Sequence, residues 1–74
     1  MNPIYQKLGD LIKQKRMELS LSQNELAYRC LLHEHCIYKI EKAKSEIKLS
    51  TLMKIFKELG LKFELIDKLM RGVD

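Results

Sequence analysis

Residues 30–36 read CLLHEHC and place two cysteines and two histidines within seven positions. Thiolate sulfur and imidazole nitrogen are ligands that zinc prefers, and a structural zinc site holds four ligands at about 2.0–2.3 Å from one ion. The stretch therefore has two interpretations. It is a metal site, or it is a surface that uses the same residue types for another purpose. The elements that position these side chains decide between the two.

Length and charge limit the class of protein. The 74 residues predict a single domain over 1–74, and a domain of this size buries only about 60% of the surface that its unfolded chain exposes. The net charge of +4 suits nucleic acid but is not diagnostic. The sequence contains no apolar run as long as a secretory signal or as the roughly 18 residues of a membrane span. We therefore expect a cytoplasmic protein with reduced cysteines and no membrane contact.

Apolar residues recur at helical spacing through most of the chain and predict an all-α bundle of four to five helices. The first helix is predicted over residues 3–19. Ser22 and Glu25 form the pattern of a capping box, so a second helix begins immediately after Ser22. The third helix begins at residue 33 or 34. The fourth covers residues 49–59 and ends at a glycine, as helices commonly do.

The segment that follows the fourth helix carries two patterns. Leu61, Phe63 and Leu65 alternate with polar residues, as in a strand, but the apolar residues of 61–70 also fit a helix. We favour a strand over 61–66. No second strand is evident in the sequence, so its unpaired backbone groups predict antiparallel pairing with the same strand of a second copy. Leu61, Phe63 and Leu65 would then be dimerisation contacts.

Two short helices joined by about three residues form a helix-turn-helix, with its core at residues 22–41. Residues 21–44 read LSQNELAYRCLLHEHCIYKIEKAK and resemble the DNA-binding unit of the Cro/phage-repressor (XRE) family. The matching residues are Leu21, Ser22, Gln23, Glu25, Leu26, Ala27, Ile37, Ile40, Glu41, Ala43 and Lys44. The similarity extends over nearly the whole chain. It implies a lambda-repressor-like bundle that binds double-stranded DNA.

The chain departs from this family at three turns. The family usually has glycine after the first helix, in the turn of the motif and after the third helix, where this chain has Ser20, Leu31 and Ala43. A turn with positive φ is easy for glycine and costs other residues about 1 kcal/mol or more. We therefore expect a strained or altered turn at Leu31. It would affect the angle between the second and third helices but not the fold.

The resemblance also bears on CLLHEHC. It implies that Cys30 fills an inward position on the second helix, where a free cysteine packs as a small hydrophobe. It places His33 in the N-cap slot of the third helix, and His35 toward solvent. Adjacent helical residues such as His35 and Cys36 diverge by about 100°, so four ligands do not converge on one ion. We predict no metal and no cofactor.

Carried over by position, the resemblance implies contacts to DNA along the third helix. Glu34, His35 and Lys39 match places that usually touch bases, and Tyr38 lies nearby. Glu34 has a second interpretation of equal weight, as an acid that favours the positive end of the helix dipole. The full expected set is Gln23, His33, Glu34, His35, Tyr38, Lys39, Lys42 and Lys44.

The flanking members of this set have supporting roles. Gln23 fits a phosphate-clamping position at the start of the second helix. Lys42 and Lys44 are expected phosphate partners, although most surface lysines belong to solvated loops. Arg16 and Glu41 match a pair that ties the first helix to the third in several family members. We expect them to form a partly buried structural ion pair.

The sequence contains no ordered Ser/His/Asp set, no Gly-rich phosphate loop and no paired carboxylates, so we do not expect an enzyme. The stretch LSTLMKIFKELGLKFELID is similar to the end of HipB-like antitoxins. That similarity implies a type II antitoxin that represses its own operon as a homodimer on an inverted repeat and binds a HipA-like kinase toxin.

Two alternatives stay open within the DNA-binding class. One is a restriction-modification controller, which usually dimerises through a fifth helix, and the other is a phage-type repressor. From a different class, the chain could be a protein-binding module that neutralises a partner without reading DNA.

Overall fold

Helices account for the architecture of residues 3–71, the part of the chain that the computed structural model describes. The elements are α1 (Pro3–Glu18), α2 (Gln23–Arg29), α3 (Glu34–Glu41), α4 (Leu49–Leu59) and α5 (Glu64–Arg71). α1 packs against α3, α4 and α5, and α2 packs against α3 and α4. Residues 3–71 contain no strand. The expected all-α helix-turn-helix bundle is confirmed, with five helices.

The starts of α2 and α3 are set by side-chain caps. The Ser22 hydroxyl accepts from the Glu25 N–H at 3.0 Å, and the Glu25 carboxylate accepts from the Ser22 N–H at 3.0 Å, which confirms the predicted capping box. The Ser22 N–H bond lowers the pKa of the Glu25 carboxyl below its ordinary value. At α3, the Nδ1 atom of His33 accepts from the His35 N–H at 3.2 Å.

The first four helices each end close to a residue in the left-handed backbone conformation. The Leu31 N–H donates to the Tyr28 carbonyl at 3.2 Å, and the Leu32 N–H donates to the Ala27 carbonyl at 2.8 Å. Two equivalent hydrogen bonds are present at the C-terminal ends of α1, α3 and α4. Carbonyl groups in the last turn of each of these helices therefore have donors. The residues with positive φ at these four ends are Ser20 (58°), Leu31 (56°), Ala43 (55°) and Gly60 (69°).

The core is formed by buried side chains of α1, α2, α3 and α4, and α5 packs partly buried side chains against it. Its largest fully buried side chains are Phe56, Ile12, Leu26, Ile37, Ile55 and Leu59. Gly9 marks the closest approach of α1 to α3, because a Cβ atom at this position would lie 2.5 Å from the Ile40 carbonyl oxygen. A side chain at residue 9 would therefore push α3 away from the core.

The strand predicted over 61–66 is wrong. The Leu65 N–H donates to the Lys62 carbonyl and the Ile66 N–H to the Phe63 carbonyl, each at 3.0 Å, and this turn leads into α5. A helix satisfies its backbone groups within one chain, whereas a lone strand leaves them unpaired. The helix also packs Ile66 against the core. Phe63 stacks on Phe56, with ring centroids 5.3 Å apart, and is not part of a strand face.

Candidate nucleic-acid interface

A buried ion pair holds α3 against α1. Arg16 Nε donates to Glu41 Oε2 at 2.7 Å, and Arg16 Nη2 donates to Glu41 Oε1 at 3.0 Å. The third guanidinium nitrogen, Nη1, donates to the Leu21 carbonyl at 2.7 Å. Removing one partner from a buried pair of this kind costs about 3–5 kcal/mol, because the other charge is left buried. The orientation of α3 therefore depends on this pair.

Gln23 adds a third side chain to the ion pair of Arg16 and Glu41, on the side nearer to solvent. Its amide Nε2 donates to Glu41 Oε1 at 3.1 Å, and its side chain is half-buried. The amide carries a second N–H, which can donate to a phosphate oxygen. A group that could clamp DNA at the start of α2 is thus bonded to the residue that anchors the end of α3.

α3 divides into a buried face and an exposed face. Ile37 and Ile40 are buried, while Glu34, His35 and Lys39 are exposed to solvent. The structure therefore places these three predicted base-reading residues on the exposed side of one short helix. A carboxylate can accept from cytosine N4, and an ammonium can donate to guanine O6 and N7. Such a face is suited to hydrogen bonding with base edges.

Two ring contacts lie beside this face. The His35 imidazole stacks on the Tyr38 ring, with centroids 5.8 Å apart and planes inclined by 12°. Lys44 Nζ lies over the same ring, 5.3 Å from its centroid. Sequence reasoning placed all three residues near DNA but missed these contacts. The three-residue spacing of His35 and Tyr38 on a helix is the signal that could have revealed the first.

The remaining predicted residues lie at the two ends of α3. His33 is exposed and uses Nδ1 for the helix cap. Lys42 and Lys44 are exposed just beyond the C-terminal end of α3. Positive charge is thus concentrated at the C-terminal end of α3, where Lys42 and Lys44 could bind phosphate oxygens.

The side chains of CLLHEHC separate in space. Cys30 is buried, with 3% of its surface exposed, while Cys36 is half-buried and His35 is exposed. Burial raises the pKa of the Cys30 thiol above its ordinary value, which disfavours the thiolate that metals bind. Across residues 3–71, no three His, Cys, Asp or Glu side chains are grouped as a metal ion would require. None of the helices in this range has the length and hydropathy needed to cross a membrane.

Sequence comparison identifies the class. The family model for helix-turn-helix proteins matches residues 12–66, most of the chain. The chain therefore belongs to the XRE-type helix-turn-helix family of DNA-binding transcription regulators. Regulators of this class act by binding DNA and not by catalysis.

Solved structures give a narrower likeness. One is a tyrosine-to-alanine mutant of the restriction-modification controller protein C.Esp1396I, with 28% identity and a TM-score of 0.80 over 96% of this chain and 97% of that chain. The wild-type form of the same controller is 26% identical, with a TM-score of 0.78 over 92% of this chain and 91% of that chain. No curated protein matches the sequence significantly.

Proposed function

We propose that this protein is a homodimeric operator-binding regulator of the restriction-modification controller type. The observation that carries the proposal is the similarity to a controller protein over 96% of the chain, α5 included. The exposed face of α3 supplies the chemistry for reading an operator. The buried pair of Arg16 and Glu41 supplies the rigidity that such reading needs.

On the DNA side, α3 enters the major groove of each half-site. Glu34, His35 and Lys39 contact base edges, because they are the residues of α3 whose side chains are exposed to solvent. The phosphate contacts come from Gln23 and the two lysines that follow α3. His33 acts mainly as the cap that orders the first turn of α3. The half-sites form an inverted repeat, since a two-fold dimer presents the same helix twice.

On the dimer side, α5 takes the place of the predicted strand. Phe63 and Met70 are 42% and 60% exposed, and Leu61, Leu65 and Leu69 are half-buried. This surface, which we call the α5 patch, is apolar enough to pack against its own copy about a two-fold axis. Such packing would set the separation of the two α3 helices at about 34 Å, one turn of DNA.

The antitoxin hypothesis is the second candidate. It rests on the likeness of the C-terminal segment to an antitoxin strand, and the structure has α5 in that segment. The controller type therefore has more support than an antitoxin that binds a HipA-like kinase. The adjacent genes separate the two: restriction and modification enzymes support the controller, and a kinase supports the antitoxin.

DNA binding is tested by fluorescence anisotropy with the DNA upstream of the protein's own gene. We expect an affinity at least about 10³-fold higher than for scrambled DNA of the same length, and a linear fall of log affinity with log salt. Lys13→Ala serves as the control, because Lys13 is an exposed lysine of α1 outside the helix-turn-helix unit. Equal affinity for both DNAs would contradict operator reading.

Dimerisation is tested by sedimentation of Met70→Asp. Met70 is 60% exposed on α5, and Met17 is 61% exposed on α1, so Met17→Asp adds the same charge at matched exposure elsewhere. We expect Met70→Asp to give a folded monomer with weak operator binding, and Met17→Asp to remain a dimer. Two dimeric variants with unchanged DNA binding would show that the α5 patch is not the interface.

A further inference from the structure

The Tyr38 ring contacts one side chain that is proposed to read a base and one that is proposed to bind a phosphate. His35, which belongs to the exposed face of α3, stacks on it at 5.8 Å. Lys44, which follows α3, places its ammonium 5.3 Å from the same ring centroid. Tyr38 is half-buried, whereas both of its neighbours are exposed. The ring is therefore better anchored than the two side chains that it touches.

The backbone brings these three residues together from different directions. His35 and Tyr38 are three residues apart on α3, so they are neighbours on the helix surface. Lys44 comes from beyond the helix end. The left-handed Ala43, with φ of 55°, turns the chain so that the Lys44 N–H donates to the Lys39 carbonyl at 2.9 Å. This turn directs Lys44 back along α3 toward Tyr38.

We propose that Tyr38 is a positioning residue that orders His35 and Lys44 before DNA arrives. The proposal rests on the proposed function, because it assigns His35 to a base edge and Lys44 to a phosphate. Ordering a flexible side chain at a binding surface normally opposes association. A ring that already holds an imidazole by stacking and an ammonium by cation–π attraction reduces that penalty at both contacts together. Base reading and phosphate clamping are then coupled through one side chain.

Two substitutions separate this role from a direct contact by the tyrosine hydroxyl. Tyr38→Phe keeps the ring and removes the hydroxyl, whereas Tyr38→Leu keeps an apolar side chain and removes the ring. We expect operator affinity of Tyr38→Phe to match the wild type and that of Tyr38→Leu to fall about tenfold, if two side chains lose their ordering. Thermal unfolding of both variants checks that the fold is retained.

Coupling is measured with a double-mutant cycle. In the background of Lys44→Ala, the further change Tyr38→Leu should weaken operator binding by a smaller factor than it does in the wild type. In the free protein, the NMR shifts of the His35 imidazole protons should move toward solvent values in Tyr38→Leu but not in Tyr38→Phe. This second measurement involves no DNA.

Each outcome has a definite meaning. Rescue by Tyr38→Phe, a smaller effect in the Lys44→Ala background and ring-dependent His35 shifts support the positioning role. Strictly additive losses, or an equal loss in Tyr38→Phe and Tyr38→Leu, overturn it while operator binding by the wild type stands. A wild-type protein that does not distinguish operator from scrambled DNA overturns the proposed function, and the positioning role with it.

Discussion

Leu31 holds backbone strain that a glycine would release. Its φ is 56°, and its side chain is 86% exposed, so a smaller residue loses almost no buried area. An L-residue in the left-handed region costs about 1–2 kcal/mol. The same substitution also lowers the free energy of unfolding by about 0.4–1 kcal/mol, because glycine gives the unfolded chain more conformational freedom. We therefore expect Leu31→Gly to raise the free energy of unfolding by about 0.5–1 kcal/mol.

Urea denaturation followed by circular dichroism measures this change. In thermal unfolding, the same gain corresponds to a rise in Tm of about 2–8 °C for a domain of this size. Protein concentration must be held constant, because the stability of a dimer depends on it. Leu31→Ala is the matched control, since it removes the same exposed side chain but keeps the Cβ atom. If Leu31→Gly is no more stable than Leu31→Ala, the reasoning about strain at this turn is wrong.

Three further predictions follow from the contacts of α2 and α3. Gly9→Ala should lower the free energy of unfolding in urea by about 2 kcal/mol, because its Cβ would lie 2.5 Å from a carbonyl oxygen of α3. Lys39→Ala should reduce discrimination at one base pair by about 1–3 kcal/mol in a panel of operator variants, whereas Lys44→Ala should weaken binding to all DNA and flatten the salt dependence. A maleimide should label Cys36 before Cys30, as read by mass spectrometry of peptides, because Cys30 is 3% exposed and burial raises its thiol pKa.

These predictions have separate controls. Gln14→Ala, at an exposed position of α1, should leave the free energy of unfolding almost unchanged. An equal loss on operator and scrambled DNA for Lys39→Ala would remove Lys39 from the base-reading set. Labelling of Cys30 at the rate of Cys36 would show that the α2–α3 junction opens readily. A chelator should not change Tm, and a fall in Tm on its addition would restore the metal interpretation of CLLHEHC.

Local signals were enough to predict most helix boundaries. The capping box of Ser22 and Glu25 acts over three residues, and Gly60 ends α4 through its own backbone conformation. Both signals depend on neighbours in the sequence, so they can be read without the fold. The positive φ at Leu31 was expected from the family resemblance instead, because the family usually has glycine in this turn.

The candidate interface was predictable in its residue types but not in its contacts. The family resemblance implied that His35, Tyr38 and Lys44 lie near DNA. The stacking of His35 on Tyr38 and the approach of Lys44 depend on side-chain rotamers and on the turn at Ala43. The bond from Gln23 to Glu41 likewise joins residues of different helices.

By itself, the sequence determined that this protein is a helical bundle with a helix-turn-helix unit, because helical periodicity and caps are local properties. Only the tertiary structure decided the state of residues 61–70, whose apolar residues fit both a strand and a helix. α5 packs on α1, Ile66 and Leu69 pack against the core, and Phe63 stacks on Phe56. A helix at this position buries apolar surface while pairing its own backbone groups, and a single chain offers a strand no partner.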